Sequence, residues 1–216
     1  MEKKDIRILL VRHGETEWNR TRRFQGRCDT PLNETGVRQA EAVAGMLKDE
    51  AVTTAYTSPL LRAKETAKRI MDYHSQARLI EEPDFIEMDL GTFDGMDAVE
   101  WSRMYPNFMN QWRENPGTLR MPGGECLDEV RHRAVSALYR IIAKHPDNST
   151  VLICSHNFVI LSLLCFAKGI PLDGFRRLRQ SNGAVSIICV KNGVMTVTAV
   201  NLLPEVCVTL PVTSRA

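Results

Sequence analysis

Two apolar runs that each end on a histidine constrain this chain more than any other feature. Ile8–Thr16 reads ILLVRHGET, and Val151–Asn157 reads VLICSHN. In both, a run apolar on either face, as in a strand buried between two layers, leads straight into titratable groups. A lone histidine at a strand end is usually a satisfied polar residue. Two of them, ending two buried runs, point to a shared site.

Strand and helix signals alternate along the chain, with no internal repeat and no low-complexity linker. Ile6–Val11 is predicted as a buried strand, apolar on both faces apart from Arg7. A helix is predicted from about Glu34, capped by Asn33, with Val37, Ala40, Val43, Ala44 and Leu47 at helical spacing. Thr53–Thr57 reads as a weaker strand. Ser58-Pro59 reads as a helix start, with serine as the cap and proline in the first helical position. Ala63, Ala67, Ile70 and Met71 mark that helix's inner stripe. Leu127, Val130, Ala134, Leu138, Ile141 and Ile142 give another amphipathic helix ending near Pro146, ahead of a buried strand over Thr150–Cys154. Two further strands, Ala184–Val190 and Met195–Leu202, flank Asn192-Gly193, a strong hairpin signal. The expected fold class is α/β: a three-layer sandwich whose mostly parallel central sheet has an antiparallel edge and helices on both faces.

The chain has 216 residues, enough for one large α/β core. The expected organisation is a single domain over 1–216 with a small cap segment at about 92–124. Charged residues are 25% and hydrophobic ones 44%, an ordinary balance with no apolar run long enough to span a bilayer. The basic residues ahead of Ile8 are not followed by a cleavage-site pattern, so no signal peptide is expected. A net charge of +2 excludes an argument for nucleic-acid binding, despite the arginines at 20, 22, 23 and 27 and the FRRLRQ cluster. Six cysteines (28, 126, 154, 165, 189, 207) form no CxxC pair, and several fall in apolar runs. They suggest a cytoplasmic location and no structural zinc.

In open α/β sheets ligands collect beyond the carboxyl ends of the parallel strands, where His13 and His156 both fall. Arg62 belongs to the same rim, in the first turn of the helix that follows the second strand, where free backbone N–H groups favour an anion. Arg12, His13, Arg62 and His156 are therefore expected to converge on an anionic group. Such a cluster suits phosphoryl transfer. A neutral imidazole can attack phosphorus, two arginines can clamp the equatorial oxygens, and the second histidine adds a charged donor. No HExxH, P-loop or carboxylate cluster calls for a metal.

Six segments in order, LLVRHGETEWN, RRFQGRCDTPLNETGVRQAE, YTSPLLRAKETA, EMDLGTFDG, PGGE and VLICSHN, resemble the signature segments of the histidine phosphatase superfamily, the phosphoglycerate mutase-like family. The resemblance runs from Arg7 to about Asn201. It implies that His13 is the nucleophile, that Arg12, Arg62 and His156 form the phosphate pocket, and that Asn19, Gln25 and Gly26 line it. It also implies that Glu87 is the general acid, although chemistry alone permits Glu81, Glu82, Asp84 or Asp89. Where the family keeps a glycine after its second histidine this chain has Asn157, a weaker contact.

EMDLGTFDG and the short stretch to PGGE resemble the bacterial phosphatase branch, which includes α-ribazole phosphatases and broad-specificity enzymes. The implied function is a metal-independent phosphomonoester hydrolase without a cofactor, acting on a small-molecule phosphate monoester. The alternatives are a phosphoglycerate mutase using the same phosphohistidine, and a non-catalytic phosphoester-binding protein. No nucleic-acid or membrane partner is expected, and a homodimer is left open. Substrate choice is expected between Asp97 and Pro122. There Asp97 and Glu100 suggest a capping box, and Trp101, Tyr105, Phe108 and Trp112 recur at helical spacing. They read either as a lid over the leaving group or as packing. Arg20, Arg22 and Arg23 offer a second anion contact.

Overall fold

A computed structural model describes residues 4–204; Cys207 lies outside the described residues. Its elements, in order, are β1 (Asp5–Arg12), α1 (Glu17–Arg20), α2 (Glu34–Leu47), β2 (Val52–Thr57), α3 (Leu61–Met71), β3 (Arg78–Glu81), α4 (Ala98–Met104), α5 (Pro106–Glu114), α6 (Leu127–Lys144), β4 (Ser149–Ser155), α7 (Asn157–Lys168), β5 (Val185–Lys191) and β6 (Val194–Leu202). One sheet runs β3-β2-β4-β1-β5-β6. The pairs β1–β4, β2–β4 and β2–β3 are parallel, and β5 is antiparallel to both β1 and β6. β1 and β4 lie at the centre with Arg12 paired to Ser155, so His13 and His156 leave the sheet side by side.

Alternation along β1 builds the two cores. Ile6, Ile8 and Leu10 face α6 and α7, whereas Leu9 and Val11 face α2 and α3. The three-layer arrangement follows. Asn33 caps α2 through the Gly36 amide at 2.8 Å, and Asn192-Gly193 makes the β5–β6 turn with φ of 52° and 82°. α7, apolar nearly all round, is buried between β1, β6 and α6.

Three local expectations are corrected. The helix after β2 begins at Leu61, and Leu60 rather than Ser58 is its N-cap residue, without a side-chain cap. Ser58 spends its hydroxyl elsewhere. Asp97 caps α4 through the Val99 and Glu100 amides without the return bond of a capping box. The aromatic segment is not one helix: Pro106 cannot donate within a helix interior and instead starts α5. Trp101, 5% exposed, packs edge-on against Phe24 and Phe93, and Tyr105 and Phe108 also stack on Phe93. Trp112 alone of the four reaches Phe158 and Phe175. No helix among the described residues is long and apolar enough to cross a membrane.

Candidate active site

His13 follows β1 and is almost fully buried. Its position is fixed by backbone: the His13 amide donates to Ser155 O at 3.1 Å, and Gly14 N donates to Thr66 Oγ1 at 3.1 Å. Gly14 must be glycine, because a Cβ there would come within 2.3 Å of Gly36 O. His13 Nδ1 lies 2.7 Å from Gly14 O. A carbonyl only accepts, so Nδ1 carries the proton and Nε2 keeps its lone pair. Burial, with Arg62 and Arg12 beside it, holds the ring's pKa well below the ordinary value of 6.5. His13 is neutral at physiological pH.

Arg62 enters from the first turn of α3, fully buried. Its Nε donates to His13 Nε2 at 3.3 Å, Nη1 to Cys28 O at 2.9 Å and Nη2 to Gly26 O at 2.7 Å. Three of the five guanidinium hydrogens are thus used, leaving two for a ligand. Arg12 Nη1 donates to Gln180 O at 2.6 Å and to Asn157 Oδ1 at 3.4 Å, and its buried Nε has no partner among the described residues. Burial lowers Arg12 to about 10, Glu87 opposing and Arg62 adding to the shift, so it remains charged at neutral pH.

His156 stands at the N-cap position of α7 without a side-chain cap bond, its ring centroid 5.1 Å from that of His13. Its Nε2 lies 2.7 Å from Ser58 Oγ. Burial, with Arg62, His13, Arg12 and Arg133 nearby, depresses its pKa well below 6.5. The charged donor expected from sequence is therefore neutral in the unliganded chain.

Glu87 is the buried carboxylate of its loop. It accepts from Met88 N at 2.8 Å and from Phe158 N, at the start of α7, at 3.3 Å. Burial raises its pKa above 4.5, against the pull of those amides and of Arg62 and Arg12. The competing carboxylates pair elsewhere: Glu81 with Lys64, Glu82 and Asp84 with Arg140, and Asp89 with Arg27. Arg133 of α6 staples the loop, donating to Asp84 O, Ile86 O and Glu87 O at 2.7, 2.6 and 3.1 Å.

Asn19 Nδ2 donates to Gln25 Oε1 at 3.2 Å, and Asn182 Nδ2 donates to Asn19 Oδ1 at 3.0 Å and to His13 O at 3.2 Å. Gly26 gives its amide to Asp94 Oδ1 at 2.8 Å, so it supports Arg62 through its carbonyl. Ser58, Gln180, Asn182 and Arg133 were not identified from sequence. Arg20 pairs with Glu17, and Arg23 donates one N–H to Gly95 O. An open cleft of about 670 Å³ adjoins Arg12 and Asn157, walled by Leu161, Phe175, Arg176 and Arg179. Among the described residues no three His, Cys, Asp or Glu side chains gather as metal ligands would.

Fold and site define an α/β protein with an arginine-lined, two-histidine pocket at the carboxyl edge of its sheet. The chain belongs to the histidine phosphatase superfamily (branch 1), whose sequence pattern matches residues 8–203. It is 34% identical over 183 residues to "Phosphoserine phosphatase 1" of Hydrogenobacter thermophilus, covering 85% of this chain and 86% of that one. It is 33% identical over 187 residues to "Probable phosphoglycerate mutase GpmB" of Proteus mirabilis, covering 87% and 86%. The solved structure of Bacillus stearothermophilus YhfR superposes with a TM-score of 0.84 at 31% identity, over 90% of this chain and 96% of that one. The family's named relatives thus include phosphatases and mutases.

Proposed function

We propose that this chain is a metal-independent phosphomonoester hydrolase working through a phosphohistidine. The observation that carries the reading is the 2.7 Å contact of His13 Nδ1 with Gly14 O, which assigns the proton to Nδ1 and leaves the Nε2 lone pair facing Arg62. Nε2 attacks phosphorus and the P–O bond to the alcohol breaks, while Glu87 gives its proton to the departing oxygen. Arg12 and Arg62 neutralise the equatorial oxygens. Water then attacks the phosphorus and loses its proton to the Glu87 carboxylate. The P–N bond breaks and inorganic phosphate leaves.

One domain carries this chemistry, and the cap segment 92–124 packs on it through Trp112, which meets Phe158 and Phe175. Arg176 and Arg179, which have no carboxylate partner among the described residues, favour an alcohol that is itself acidic. Five free cysteines among the described residues suit a reducing, cytoplasmic location. The non-catalytic alternative is disfavoured by the presence of every reacting group. The mutase alternative has the Proteus mirabilis relative in its favour; the short stretch between Glu87 and Glu125 speaks for hydrolysis. A mutase must shield its phosphohistidine from water. The test is phosphate release from an aryl phosphate in EDTA, run beside an enolase-coupled mutase assay on 3-phosphoglycerate. Phosphate release without mutase turnover is expected; fast mutase turnover with little release would reject hydrolysis.

A further inference from the structure

The hydroxyl of Ser58 is fully buried and has two neighbours, Leu60 N–H at 3.2 Å and His156 Nε2 at 2.7 Å. The amide can only donate, so it occupies a lone pair on Ser58 Oγ. If His156 Nε2 also donated, the hydroxyl proton would point at no acceptor. Nδ1 of His156, which is buried and has no hydrogen-bond partner among the described residues, would then carry a bare lone pair. The opposite assignment satisfies every group. The Ser58 hydroxyl donates to Nε2, and Nδ1 carries the single proton of a ring that burial and the neighbouring arginines keep neutral.

We propose that Ser58 is a positioning residue that fixes the tautomer of His156, so that Nδ1–H is presented to the phosphoryl group. The two histidines then share one tautomer and use it in opposite ways. His13 has its Nδ1–H tied to Gly14 O and turns its Nε2 lone pair towards Arg62 in the pocket; His156 has its Nε2 lone pair tied to Ser58 and keeps an unpartnered proton. A pocket with two exposed lone pairs would repel a phosphate, and one with two exposed protons would lack a nucleophile. A serine that reads in sequence as a helix cap accounts for the difference. The role of His156 as a phosphate contact rests on the phosphatase reading; the tautomer does not.

The experiment is 15N NMR of the imidazoles in the unliganded chain at pH 8, with His156 assigned by comparison with His156→Gln, together with inhibition by inorganic phosphate. The expected spectrum has a protonated Nδ1 and an acceptor Nε2 on His156. Ser58→Ala should lose that preference and weaken phosphate binding about tenfold or more, the loss of a hydrogen bond to a charged group. Ser58→Thr, which keeps the hydroxyl, should restore both. A wild-type His156 protonated at Nε2 and bare at Nδ1 would overturn the proposal, even if neither variant folds. So would a folded Ser58→Ala with unchanged tautomer and phosphate affinity. A wild-type chain that binds no phosphate yet shows the stated tautomer would refute the phosphatase reading and still support the Ser58 assignment.

Discussion

Nε of Arg62 stands 3.3 Å from Nε2 of His13, so the group proposed to clamp a phosphate also holds the nitrogen proposed to attack it. The other two bonds of the guanidinium run to the Gly26 and Cys28 carbonyls, on the loop after α1. Aim and charge therefore come from one side chain, and the carbonyls that orient it come from a segment far from it in sequence.

Replacing Arg62 by lysine keeps the charge and loses the fork. Arg62→Lys should lower kcat by roughly 10²–10³, the scale of removing a positioned electrostatic donor. It should also destabilise the fold by about 1–3 kcal/mol, because the buried Gly26 carbonyl loses its donor. Steady-state kinetics on an aryl phosphate and thermal unfolding check the two parts. A variant with wild-type kcat would mean that charge alone suffices.

Glu87 gives a different contrast. As the acid that protonates the leaving oxygen, Glu87→Gln should reduce kcat/KM for alkyl phosphates by about 10²–10⁴, and much less for nitrophenyl phosphate, whose leaving group departs unprotonated. Equal losses on both substrates would assign Glu87 to binding or structure.

The strands that deliver the histidines were legible because a centre strand covered on both faces must be apolar throughout, and few other elements look like that. Arg12, His13, Arg62 and His156 were legible for the same reason: each follows directly from such a strand or from the helix after it. Ser58 was misread because Ser-Pro at a helix entrance gives one signal whether its hydroxyl caps the helix or binds a histidine. α7 carries no amphipathic stripe, since it is buried nearly all round. Gln180 and Asn182 sit in a loop where no periodicity marks a contact partner, and Arg133 looks like any polar position on an amphipathic helix. The four aromatics kept helical spacing across Pro106, and spacing alone hid the break.

The depressed pKa values of His13 and His156 make stability depend on pH. Both groups stay neutral when folded and take a proton near pH 6.5 when unfolded. Their contribution is complete above about pH 6.5 and is lost as pH falls towards the depressed folded values. Each should cost roughly 1 kcal/mol per pH unit in that window. Urea unfolding from pH 8 to pH 5 should show the slope, to which the depressed His145 also adds, and His156→Gln should make it shallower. A slope unchanged by that substitution would place the protonation elsewhere.

The central claim is that phosphate passes through Nε2 of His13. Brief reaction with a 32P-labelled monoester, followed by alkaline quench and peptide mapping, measures it directly. The expected result is an acid-labile, base-stable label on His13 alone, absent from a folded His13→Ala variant that also lacks turnover. A label on another residue, or substantial phosphate release by His13→Ala, would contradict it.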